Sequence, residues 1–73
     1  MTKTALIKGH AKRYKVCLTT GEGGIHSVTL LRMTHGEYAV RSVQNYKRLV
    51  TAHRRFCELL GEALCDGRLV EIL

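Results

Sequence analysis

The spacing between apolar residues changes once along this chain, close to residue 48. Before that point apolar side chains recur at every second residue, as in Tyr14, Val16 and Leu18. A period of two places side chains on one face of a β-strand. Beyond it the spacing becomes three or four residues, in Leu49, Ala52, Phe56, Leu59, Leu60 and Ala63. That period is typical of an amphipathic helix, so the sequence predicts several strands followed by one helix.

Glycine-containing segments divide the strand-like part of the chain. "GEGG" at 21–24 and "HGE" at 35–37 have the composition of turns. Gly67 is placed where a helix commonly ends. The predicted elements are strands at about 4–8, 12–20, 25–34 and 38–46, a helix at about 49–66 and a candidate short final strand at 68–73.

The predicted fold class is α+β, in a single domain spanning residues 1–73. It is a small antiparallel β-meander of three to four strands, with one C-terminal amphipathic helix packed on one face. Val28 and Leu30 share one face of their strand, while Leu31 and Met33 share the other. One helix covers one face, so we expect a homo-oligomer, most simply a dimer, to cover the second. The final strand either extends the sheet edge or pairs with another chain.

Charge is distributed unevenly along the sequence. Residues 1–55 hold eleven Lys or Arg against two Glu, a balance of +9. Residues 56–73 hold one Arg against four Asp or Glu, a balance of −3. A basic body of this kind favours a polyanionic partner, either nucleic acid or an acidic protein.

Catalytic and metal motifs are missing from the sequence. Glu58, Glu62 and Asp66 are four residues apart and are typical of a solvated helix face. The cysteines number three and form no Cys-x-x-Cys pair, so we expect small apolar side chains rather than a disulfide framework or a zinc site. "GEGG" lacks the Lys of a phosphate-binding loop. We therefore expect no enzyme, no catalytic residue, no cofactor and no metal.

The sequence contains no apolar run approaching the roughly 18 residues of a membrane span. The first residues include an apolar stretch of three, Ala5 to Ile7, which is too short for a secretion signal. These features predict a cytoplasmic protein without a membrane partner.

The basic residues are the best candidates for a functional surface. Arg32 and Arg41 lie within strands, and we expect them on the face away from the helix or near its rim. Tyr14 and Tyr38 are in step with Val or Leu and are expected in the core, which leaves Tyr46 as the best base-stacking candidate. The candidate nucleic-acid-binding residues are Lys12, Arg13, Lys15, Arg32, Arg41, Tyr46, Lys47, Arg48, Arg54 and Arg55.

Two functions fit this pattern. The first is a small basic non-enzymatic protein that binds nucleic acid mainly through phosphates, with single strands or RNA as the favoured ligand and duplex left open. The alternative is a protein-interaction or regulatory module that self-associates or binds an acidic protein. In the alternative, the basic helix start of one chain meets the acidic residues Glu58, Glu62 and Asp66 of another.

Overall fold

Six elements of regular structure follow the predicted order. The computed structural model describes the backbone of residues 2–9, 12–65 and 67–72, and the side chains of residues 2–8 and 12–62. The elements are β1 (Thr2–Gly9), β2 (Arg13–Thr20), β3 (His26–Thr34), β4 (Glu37–Tyr46), α1 (Leu49–Cys65) and β5 (Gly67–Ile72). The predicted α+β meander with one packed helix is confirmed, and each boundary lies within two residues of its predicted position.

The strands form one antiparallel sheet in the order β4-β3-β2-β1-β5. Four strands follow each other as a meander, and α1 then crosses the sheet from the β4 edge to the opposite edge. There β5 pairs with β1, with Lys8 opposite Arg68 and Gly9 opposite Gly67. The candidate final strand therefore extends the sheet of its own chain.

The two predicted turns have different geometries. A short 3-10 turn at Glu22–Gly24 joins β2 to β3, with the Gly21 amide donating to the Ile25 carbonyl at 2.9 Å. Between β3 and β4 the turn has two central residues, His35 with φ 53° and Gly36 with φ 82°. Positive φ at both positions is the geometry of a type I′ hairpin turn, which matches the right-handed twist of the strands.

The core lies between α1 and one face of the sheet. Five strand residues are buried there: Ala5, Ile7, Val16, Leu18 and Val28. Ala52, Phe56 and Leu59 bury the inner side of the helix against them. Each large apolar side chain removed from water in this way contributes about 1.5–3 kcal/mol, which holds the helix on the sheet.

The inner side of the helix is narrower than the sequence predicted. Leu49 was expected on it, but this side chain remains 42% exposed at the first helical residue. Four half-buried side chains pack at the margin of the core: Tyr14, Leu30, Tyr46 and Leu60. Tyr14, which was predicted in the core, is half-buried and packs against it. The prediction for Leu49 is wrong.

Candidate nucleic-acid interface

The sheet face opposite α1 is open to solvent in the single chain. Directly paired residues of neighbouring strands lie on the same face, so the strand register defines its composition. Two side-chain contacts agree with that register: Thr4 Oγ1 lies 3.7 Å from Cys17 Sγ, and Ser27 Oγ donates to Asn45 Oδ1 at 2.7 Å. The described side chains of this open face include Leu6, Lys8, Arg13, Lys15, Cys17, Thr29, Leu31, Met33, Tyr38, Val40 and Val43.

Three cations concentrate at one end of the open face. Lys8 and Arg13 are direct register partners on β1 and β2, and both side chains are exposed. Lys15 follows two residues later on the same face, and Lys12 is exposed just before β2. Like charges placed directly opposite each other destabilise a sheet. We call Lys8, Arg13 and Lys15 the basic corner, and a bound anion would relieve its repulsion.

An aromatic ring lies beside the basic corner. The Lys15 Nζ is 4.3 Å from the centroid of the Tyr38 ring. Such a cation–π contact contributes about 0.5–1 kcal/mol at an exposed site. Tyr38 was expected in the core, and this prediction is wrong because Tyr38 pairs with Met33 on the open face.

The middle of the open face is apolar and only partly covered. Leu6, Leu31 and Met33 are half-buried, whereas Val40 and Val43 are 58% and 53% exposed. No carboxylate belongs to this face among the described side chains. Glu71 occupies the register position opposite Leu6, at the β5 edge. The surface thus combines apolar contact area with a positively charged end.

Arg41 occupies a β-bulge on the edge strand β4. Leu30 pairs with Ser42 and Leu31 pairs with Val40, which leaves Arg41 as the extra residue of the bulge. Its side chain is exposed. Bulges commonly redirect a side chain at a sheet edge, and here an exposed cation lies beside Val40 of the open face.

The register assigns Arg32 to the helix side of the sheet. Its direct partners are Tyr14 on β2 and Ala39 on β4, and its side chain is half-buried near the end of β3. Arg32 therefore lies near the rim, on the other face from the basic corner.

The cations at the helix start form a separate group. Lys47, Arg48 and Arg54 are exposed, at the end of the sheet where β4 finishes. Arg13 and Thr20 are seven positions apart along β2, and Thr20 lies in that terminal row. The two groups of cations are therefore roughly 20 Å apart along the strands. The structure does not bring all the predicted residues into one site.

Arg55 and Tyr46 participate in a network that joins α1 to β4. Gln44 Oε1 accepts hydrogen bonds from Arg55 Nε at 2.8 Å and from the Tyr46 hydroxyl at 3.0 Å. Arg55 also pairs with Glu58 at 3.1 Å. Tyr46, the predicted stacking residue, packs at the core margin on the helix side. The Arg55 guanidinium is therefore already occupied by partners within the chain.

Lys8 and Tyr38 belong to the open face but were not among the predicted binding residues. Lys8 and Leu6 lie on the same face of β1, but the sequence does not show that this face points away from the helix. The face on which Tyr38 lies could not be predicted, because the bulge at Arg41 reverses the alternation of faces within β4.

Comparison with protein families, curated proteins and solved structures finds no match for this chain. Within the described residues, no three His, Cys, Asp or Glu side chains come close enough together to hold a metal ion. In the same part of the chain, α1 is neither long nor apolar enough to span a bilayer.

Proposed function

We propose that this protein is a small, non-enzymatic nucleic-acid-binding protein that holds a single strand of DNA or RNA on the open face. One observation carries the proposal: the basic corner lies beside Tyr38 on an uncovered sheet face. Cations next to an aromatic ring on an open sheet are suited to phosphates and unstacked bases. The proposal includes a cytoplasmic location.

Phosphate binding would begin at the basic corner. Lys8 and Arg13 are exposed direct neighbours, so one phosphate between them satisfies both charges and removes their mutual repulsion. The attraction depends on charge rather than base identity, and it weakens as salt concentration rises.

Base binding would use Tyr38. A base that stacks on the ring competes with the Lys15 ammonium for the same π-surface. Displacing this ammonium frees it for the adjoining phosphate, so the ring and the cation can both be used. Exposed Val40 offers apolar contact to the same or the next base.

The dimensions of the sheet favour single strands over a duplex. Five strands at a spacing of about 4.8 Å give a face roughly 19 Å wide. The major groove of B-DNA is about 12 Å wide and admits a two-stranded ribbon or a helix. A broad sheet face therefore cannot enter the groove, whereas splayed bases can lie flat on it.

The test is fluorescence polarisation at low salt with labelled single-stranded DNA, single-stranded RNA and duplex of equal length. The Lys8→Glu/Arg13→Glu variant should weaken single-strand binding at least about tenfold. Lys47→Glu/Arg48→Glu is the matched control, because it changes the net charge equally at the far end of the molecule. Affinity that Lys8→Glu/Arg13→Glu leaves intact would remove the basic corner from the site. Equal losses of affinity in both variants would show that binding depends only on the net charge of the protein and on no particular site.

The exposed Val40 and Val43 favour a second candidate, an acidic protein or a second copy seated on the open face. The two functions differ in what purifies with the native protein. A raised absorbance ratio of 260 to 280 nm, followed by extraction of bound oligonucleotide, supports the first function. Salt-sensitive self-association of nuclease-treated protein that Val40→Lys abolishes supports the second.

A further inference from the structure

The outward face of α1 carries an exposed apolar residue that the core does not use. Val50 is 65% exposed, the highest value among the large exposed apolar residues of the described chain. At 100° per residue it points away from the side formed by Ala52, Phe56 and Leu59. The residues that share its outward face are Arg54, Cys57, Glu58 and Gly61, and the structure has all four exposed.

Gly61 leaves a flat place on that outward face. A Cβ added at Gly61 would meet no atom within 4 Å, so packing inside the chain does not require glycine here. Glycine within a helix costs roughly 1 kcal/mol relative to alanine. A neighbouring helix that approaches closely is one physical reason for accepting that cost.

Charge changes sign along the same face. Arg54 lies towards the start of α1, and Glu58 follows four residues later. Glu58 is 52% exposed despite its contact with Arg55, so it can accept a second cation. Two such helices attract each other when they lie antiparallel and repel when they lie parallel. The helix dipoles favour the antiparallel arrangement as well.

We propose that α1 pairs antiparallel with α1 of a second copy of this chain. When the two-fold axis passes between positions 55 and 56, Val50 lies over Gly61 of the second copy. Arg54 then lies beside Glu58 of the second copy, and both contacts occur twice by symmetry. The pairing uses the helix face remote from the sheet, so it leaves both open faces free and does not depend on the proposed function.

The expected dimer is weak. A helix of 17 residues is about 25 Å long, so the contact is small compared with stable interfaces of about 1,200–2,000 Å². Dimerisation should therefore depend on protein concentration, and it should decrease at high salt because its ion pairs are exposed.

Sedimentation equilibrium of nuclease-treated protein tests the charge pairing. Arg54→Glu alone and Glu58→Arg alone should each weaken the dimer at least about tenfold, because each creates two repulsive contacts. The double variant Arg54→Glu/Glu58→Arg should restore association, since the attraction is then present with reversed sign. Circular dichroism controls for folding. A double variant no better than the single variants, or a wild type that stays monomeric at millimolar concentration, overturns the proposal.

Cysteine cross-linking tests the orientation. In a Cys17→Ser/Cys65→Ser background, the two Cys57 residues would be offset by about 4 Å along the helix axes, and a short bismaleimide should join them. Adding Cys57→Ser and Val50→Cys moves the thiol to a position offset by about 16 Å between copies while a small side chain still lies over Gly61, and cross-linking should fall to background. Equal cross-linking at both positions indicates a parallel pair and contradicts the proposed geometry.

Discussion

Tyr38 and Tyr46 lie on the same strand, eight residues apart, yet they occupy opposite faces of the sheet. Tyr46 pairs with His26 and packs at the core margin beside α1. Tyr38 pairs with Met33 and contacts Lys15 on the open face. An even separation normally keeps two residues on one face. The bulge at Arg41 inserts one residue between them and reverses the alternation.

Replacing these two tyrosines should therefore affect different properties. Tyr38→Ala should weaken single-strand binding about tenfold with little loss of stability, since base stacking on an aromatic ring contributes about 1–3 kcal/mol. Tyr46→Ala should mainly lower the unfolding free energy. Polarisation titrations and urea unfolding on both variants check this, with Tyr38→Phe as the control that keeps the ring. Binding that Tyr46→Ala weakens more than Tyr38→Ala would place the stacking surface on the helix side.

Under the proposed function, the salt dependence of single-strand binding reports how many cations engage phosphates. The basic corner contains three, so the logarithm of the binding constant should fall against log salt with a slope of roughly −2 for a single strand. Arg13→Gln should reduce the magnitude of that slope by about 0.7. Titrations between 50 and 300 mM salt, roughly the range in which such slopes are measured, provide the comparison. A slope near zero would exclude phosphate contact as the main source of affinity.

Gln44 joins the helix to the edge strand by accepting from both Arg55 and Tyr46. Gln44→Ala removes both hydrogen bonds and should lower the unfolding free energy by about 1 kcal/mol, a modest value because the network is exposed. Gln44→Glu keeps the acceptor and should be close to wild type in urea unfolding. A loss of stability in Gln44→Glu as large as that in Gln44→Ala would contradict an acceptor role.

The hairpin turn between β3 and β4 is strained at His35, because His35 has a positive φ although it is not a glycine. Asparagine adopts this conformation more readily, so His35→Asn should raise the unfolding free energy by about 0.5 kcal/mol. Gly36→Ala should lower it by roughly 1 kcal/mol, because a Cβ is disfavoured at its φ of 82°. Thermal unfolding of the two variants should shift in opposite directions. Equal shifts would mean that the turn does not limit stability.

Side chains on the two faces of the sheet should respond differently to truncation. Leu18 is fully buried, and Leu18→Ala should cost about 2–5 kcal/mol, a large part of the stability of so small a domain. Val40 is 58% exposed, and Val40→Ala should change stability by less than about 0.5 kcal/mol. Urea midpoints of the two variants check the assignment of faces.

The regular elements followed from the sequence because their causes are local. The apolar residues at alternate positions, Tyr14, Val16 and Leu18, predicted β2, and the glycine residues predicted the positions of both turns. The change to helical spacing near residue 48 predicted where α1 begins. Each of these patterns is contained within a few consecutive residues.

The composition of the open face did not follow, because it depends on contacts between distant segments. The bulge at Arg41 has no local pattern, so the sides taken by Tyr38 and Val40 were hidden. The contact of Arg55 with Gln44 was also not predictable from the sequence, since the packing of α1 on the sheet brings the two residues together. The basic residues could therefore be counted from the sequence, but the distance between the basic corner and the cations at the helix start required the fold.

The pairing of β1 with β5 bears on how the chain is made. Ala5 pairs with Ile72, so one edge of β1 has no pairing strand until β5 has been translated. At roughly 5–20 residues per second, a ribosome takes several seconds to reach that segment. During this interval β1 through β4 can form as successive hairpins, while β1 presents an unpaired edge. During this period the unpaired edge of β1 can pair with strands of other chains. The period ends when β5, which follows α1, pairs with β1.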